Sequence, residues 1–156
     1  MSGFMIRGLD PEPFADLYGL SDEALTERGV VRMGVDETPG FPCRISLEDA
    51  AVGETVLLLN HEHLPVASPY RQAHAIFVRE GARKAGHFAN EVPSQLAIRT
   101  LSVRAYDADG MMTDADLVEG YDLAVAIERF FADPSVAYLH AHNAKRGCFA
   151  ARIDRA

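Results

Sequence analysis

Gly120-Tyr121-Asp122-Leu123-Ala124-Val125-Ala126-Ile127-Glu128-Arg129-Phe130-Phe131-Ala132-Asp133-Pro134, followed by Ser135-Val136-Ala137-Tyr138-Leu139-His140-Ala141-His142, decides the fold. Leu123, Ile127 and Phe130, joined by Ala124 and Phe131, recur at helical spacing and predict one long helix over about 120–132 with a core-facing stripe. Pro134 disfavours the helical conformation at the residue before it, so the helix stops there. Residues 136–142 and 148–153 then read as two strands, and 143–147 as the turn of a C-terminal β-hairpin.

Working back along the chain, the middle reads as sheet. Residues 55–61, Thr-Val-Leu-Leu-Leu-Asn-His, predict an apolar strand covered on both faces. Residues 73–79 predict another, after a loop holding Pro65 and Pro69. The polar stretch 81–90 reads as a mobile surface loop. Residues 96–106 alternate in part, and Asp107-Ala108-Asp109-Gly110 is the turn that joins them to Met111 and Met112 in a hairpin. Near the start, residues 4–9 predict a short strand. Asp10 caps and Pro11 opens a first helix with Phe14, Leu17 and Tyr18 on its apolar face. Ser21 caps a second helix, with Asp22 and Glu23 suiting the positive end of its dipole, and Gly29 ends it. Residues 30–35 follow as a strand. Helices do not alternate with strands, so the expected class is α+β: one domain over 1–156, a mainly antiparallel sheet, N-terminal helices (1–38) packed on it, and a C-terminal hairpin.

Composition excludes some functions. Of 156 residues 48% are hydrophobic and 24% charged, as in ordinary globular chains. The formal net charge is −8, from 15 Lys and Arg against 23 Asp and Glu, with no basic run and no Trp. Phosphate backbones and anionic membranes are therefore poor partners. The first eight residues lack a charged start followed by an apolar core, so no secretory signal is expected and a cytoplasmic location is the default. Cys43 and Cys148 are expected as free thiols rather than as a disulfide.

The run Tyr138-Leu139-His140-Ala141-His142-Asn143-Ala144-Lys145-Arg146-Gly147-Cys148 concentrates reactive side chains. His61 with His63, and His140 with His142, have i, i+2 spacing. On a strand that puts each pair on one face, so two pairs could offer four nitrogens to a metal. No longer zinc pattern supports this, and neither metal ligands nor a cofactor are assigned. In a regular hairpin Asn143 faces Cys148, while His140 and His142 point to the opposite face; a bulge at Gly147 would shift that register. Pro42-Cys43-Arg44 is the second cluster, with Ser46-Leu47-Glu48-Asp49 behind it as a capped helical turn that would favour an anion. Ser68-Pro69-Tyr70-Arg71 is the third, and Arg71 could grip a carboxylate or phosphate or pair internally. Neither nucleotide-binding glycine motif is present, nor is a Gly-x-Ser-x-Gly elbow.

Together Phe41-Pro42-Cys43-Arg44, Val56-Leu57-Leu58-Leu59, Ser68-Pro69-Tyr70-Arg71, Ile76-Phe77-Val78, Leu101-Ser102-Val103-Arg104-Ala105-Tyr106-Asp107 and Leu139-His140-Ala141-His142-Asn143-Ala144 with Gly147-Cys148 carry a family likeness. From about Pro39 to the C-terminus the chain resembles a bacterial family, domain of unknown function 1203. The resemblance implies a small stand-alone domain and brings no activity with it.

The residues themselves suggest one concave site for a small anionic ligand, lined by Cys43, Arg44, Tyr70, Arg71, His74, His140, Asn143 and Cys148. In that reading His140 is the general acid or base, because imidazole ordinarily titrates near neutrality. Cys43 is the nucleophile, Arg44 or Arg71 holds the negative charge, and Asn143 orients the ligand. Hydrolysis or group transfer suits the set. Two alternatives stand beside it: a non-catalytic binding or assembly module, with homo-oligomerisation open, and metal binding through the paired histidines.

Overall fold

The structure, a computed structural model, describes residues 3–156. Met1 and Ser2, the start of the segment judged free of a secretory signal, lie outside them. The chain folds as α+β, with nine strands in two antiparallel sheets among the described residues. Strands β1 (Phe4–Arg7), β5 (His87–Ala89), β6 (Thr100–Tyr106), β7 (Met112–Glu119), β8 (Tyr138–Asn143) and β9 (Phe149–Arg155) form a six-stranded sheet in the order β5-β1-β9-β8-β6-β7. Strands β2 (Val31–Gly34), β3 (Thr55–Leu64) and β4 (Gln72–Arg79) form a smaller one. The helices are α1 (Asp22–Glu27), α2 (Ser94–Ala97) and α3 (Leu123–Phe131).

Alternation on β8 divides the structure into layers. Leu139 and Ala141 face α3, and with Leu101, Val103, Ala105 and Ile153 they meet its buried Leu123, Ile127 and Phe130 in the main core. Each such large side chain contributes roughly 1.5–3 kcal/mol by leaving water. Tyr138, His140 and His142 point the other way, toward the small sheet. There Phe149 packs with Leu57, Leu59, Ile76 and Val78 in a second core. The long helix is thus the outer layer, and the histidines lie between the two sheets.

Local signals explain most elements. Ser21 Oγ accepts from the Ala24 N–H at 3.1 Å and starts α1, and Gly29 closes it at φ 72°. A three-residue 3-10 turn, Gly120–Asp122, leads into α3. A Cβ on Gly120 would lie 1.9 Å from the Leu96 carbonyl oxygen, so only glycine fits where this turn crosses α2.

Three expectations are corrected. The stretch 81–90 is not merely a loop: it contains β5, which pairs with β1 through Met5↔Ala89 and Arg7↔His87. Three residues carry no readable period, and their hydrogen bonds come from a strand some eighty positions away. Residues 46–49 are a tight turn rather than a helical one. Leu47 sits at φ 60°, and Ser46 Oγ accepts from the Glu48 N–H at 3.3 Å while Pro42 bridges Asp49. The segment after Pro11 is a 3-10 helix, Glu12–Leu17, opened by Asp10 Oδ1 accepting from the Glu12 N–H.

Candidate functional site

Three imidazoles from three strands converge between the sheets. His63 comes from β3, His74 from β4 and His142 from β8, and one ring nitrogen of each lies within 4.8 Å of the other two. His63 stacks on His74 with ring centres 4.9 Å apart, and His142 meets both edge-on at 4.9 and 5.1 Å. The approach depends on two irregularities. Register shifts between His61 and Leu64 on β3 and between Ala141 and His142 on the β8–β9 ladder. Both β3 imidazoles pack on Phe149, His61 on the side of Phe14 and His63 within the cluster.

Hydrogen bonding decides which nitrogens carry protons. His142 Nδ1 lies 3.0 Å from the Gly147 carbonyl oxygen, so it donates, and Nε2 keeps a bare lone pair. The donation is possible because Gly147 adopts φ 78° at the end of the hairpin turn. His63 Nδ1 lies 3.1 Å from His140 Nδ1. One of the two Nδ1 atoms carries the proton that this contact needs, and the Gln72 side-chain amide stands beside the His63 ring. Both Nε2 atoms, of His63 and of His142, are buried without a hydrogen-bond partner. Such a vacancy ordinarily costs about 1–3 kcal/mol. His74 Nδ1 accepts from the Phe149 N–H at 3.2 Å.

Burial keeps these rings neutral. Removal from water pushes His63 down to about 4, with His74, His61 and Arg104 adding to the effect. It takes His142 to about 3 and His140 to about 2, and lowers His74 as well. Neutral imidazole is the form that binds a metal ion.

The expected site residues divide. His74 and His140 are in the cluster. Arg44 is fully buried and acts as a hub: Nε donates to the Phe149 carbonyl at 2.8 Å, Nη1 to that of Pro42 at 2.7 Å, and Nη2 to Cys148 Sγ at 3.1 Å. Cys148 also faces Asn143 Nδ2 at 3.6 Å, on the side expected from strand alternation. Arg44, Asn143 and Cys148 therefore sit together behind Phe149, joined to His74 through that residue's backbone. Tyr70 and Arg71 stand outside this group. Arg71, on the surface, is paired with Glu62 at 2.8 Å, and Tyr70 is exposed.

Two roles are corrected. Cys43 is 0% exposed among Leu25, Ile45, Leu57 and Val78, and its Sγ accepts from the Arg79 N–H at 3.2 Å. A thiol enclosed in the core has no approach for a substrate, so Cys43 is a packing residue. His140, 1% exposed, does not titrate near neutrality; burial holds it neutral, with its Nδ1 3.1 Å from His63 Nδ1. Both thiols are free and face different partners.

Residues not assigned from sequence complete the site. His63 and His142 were visible only as members of spaced pairs, and the structure takes one imidazole from the first pair and both from the second. Arg104 stands directly opposite His140 on β6. Beside it, Tyr106 is fully buried and its hydroxyl lacks a partner. Among the described residues no helix is long and apolar enough to cross a membrane.

Comparison adds one positive finding. No curated protein and no solved structure matches the chain. The family model described as protein of unknown function (DUF1203) matches residues 40–155, a span that holds the whole histidine cluster, and the chain belongs to that family.

Proposed function

We propose that this protein is a metal-binding protein, with His63, His74 and His142 forming a three-nitrogen centre for a divalent transition metal. One observation carries the reading: two buried Nε2 atoms, of His63 and His142, are left without partners beside a third imidazole. Zinc with three imidazole ligands prefers ligand distances near 2.0–2.1 Å, which sets nitrogens roughly 3.3 Å apart. The present separations, up to 4.8 Å, close to that value by ring movements in which His74 exchanges the Phe149 N–H for the ion as the partner of its Nδ1 lone pair. His140 then serves as the outer partner that holds His63 in its ligating tautomer, and the Gly147 carbonyl does the same for His142.

Three protein ligands leave a position open, as in catalytic rather than purely structural zinc sites. When bound, such an ion polarises a carbonyl or phosphoryl oxygen or acidifies a bound water. This supports the hydrolase or group-transfer reading with the cluster, rather than Cys43, at its centre. Titration calorimetry of chelator-treated protein with zinc tests the proposal. One equivalent is expected, with affinity reduced at least about a hundredfold in His142→Ala. Binding of no zinc, or equal binding by His142→Ala, refutes it.

A second reading, association between copies of the chain, has its own observation. Leu117, Tyr121 and Val125 are 67, 79 and 70% exposed, where edge strand β7 meets α3. Light scattering across a concentration series decides it: a constant monomer mass excludes the association.

A further inference from the structure

We infer that Arg104 is the anchor for a small oxyanion, a carboxylate or phosphate group, that shares the open position of the three-histidine centre. The inference rests on the metal-site reading and specifies the class of molecule the site accepts.

Arg104 leaves β6 on the face shared by His140 and His142, because Arg104 pairs with His140 and Ser102 with His142. Its Nε donates to Ser102 Oγ at 3.3 Å and its Nη1 to Gln72 Oε1 at 3.2 Å. Both partners are neutral. Gln72 belongs to β4, the strand of His74, so the guanidinium spans the two sheets beside the cluster. Nη2 makes no hydrogen bond within 3.5 Å among the described residues, and the Tyr106 hydroxyl lies against the same guanidinium. Among the described residues no carboxylate comes within ion-pair distance of Arg104, although the chain has 23 acidic residues. The nearest acid in sequence to the cluster, Glu62, turns outward to Arg71.

Charge balance then limits the occupant. A divalent ion held by neutral imidazoles brings two positive charges, and Arg104 adds a third. Arg44, behind Phe149, adds a fourth, and its partners are two carbonyls and a thiol. Among the described residues no carboxylate lies within 4.0 Å of either guanidinium to offset these charges, which favours an exogenous anion at the open position. A planar or tetrahedral oxyanion can put one oxygen on the metal and another on Nη2 beside the Tyr106 hydroxyl, which is how a guanidinium binds such groups. Partial exposure of His74, Gln72 and Arg104 places the opening on this side.

The test uses the full chain loaded with cobalt(II), whose visible absorption reports its ligands, titrated separately with inorganic phosphate and with acetate. At least one anion should change the spectrum saturably. Arg104→Gln should weaken that anion about tenfold or more, while cobalt affinity stays equal or rises because a neighbouring positive charge is gone. Arg104→Lys, which keeps charge but loses the fork, should fall between, and it decides the matter should Arg104→Gln not fold. Arg71→Gln should bind like the wild type. Cobalt binding with no anion response, or with a response that Arg104→Gln and Arg104→Lys leave within about twofold of wild type, overturns this inference alone. Absence of cobalt binding overturns the metal site and the anion anchor together.

Discussion

Acid should unfold the metal-free protein early, and the structure sets the size of the effect. His63, His140 and His142 are held at about 4, 2 and 3, against an ordinary value of 6.5. They are 8, 1 and 0% exposed, so solvent does not screen the effect away. A lowered folded pKa means that the unfolded chain takes up protons below pH 6.5 that the folded chain refuses, so stability falls as pH falls. Between about pH 7 and pH 5 each ring costs roughly 2 kcal/mol, and the three together on the order of 5 kcal/mol. That matches the entire stability of many domains, about 5–15 kcal/mol. Urea unfolding followed by circular dichroism on chelator-treated protein measures it, with a slope near pH 5 approaching ~4 kcal/mol per pH unit. His140→Gln should reduce that slope by about a third, ~1.4 kcal/mol per unit. A stability that stays level from pH 7 to pH 5 would refute the buried, neutral cluster.

Other perturbations have equally definite outcomes. Arg44→Met should destabilise by about 3–5 kcal/mol in denaturant unfolding, because it orphans two carbonyl oxygens that the guanidinium now satisfies. An unchanged midpoint would show that the hub is dispensable. Iodoacetamide on the native protein should modify partly exposed Cys148, with Cys43 reacting only on unfolding; peptide mass spectrometry separates them. Gly120→Ala should lower the unfolding midpoint markedly, since its Cβ would strike the Leu96 and Ala97 carbonyls at 1.9 and 2.6 Å. A wild-type midpoint would mean that the turn relaxes freely.

Much of the architecture was legible because local chemistry agrees with it. The Leu123, Ile127 and Phe130 stripe, the Ser21 cap, the Asp107–Gly110 turn and the C-terminal hairpin each encode a hydrogen bond or a buried face within a few residues. Strand β5 was not legible, because β1 supplies its partners. The site was half legible. His140 with His142 correctly placed two imidazoles on one face, and Asn143 opposite Cys148 followed from alternation alone. His61 and His63 likewise share the face that packs on Phe149, but only His63 reaches the cluster, and spacing alone does not say which. The meeting of His63 and His74 with His142, across two sheets and nearly seventy positions, is a product of tertiary packing that spacing cannot express.

X-ray absorption at the zinc edge of the loaded protein tests the central claim most directly. One tightly held ion with three imidazole nitrogens at about 2.0 Å and one oxygen ligand is expected. A first shell containing sulfur, a shell of oxygens alone, or no retained zinc would contradict it.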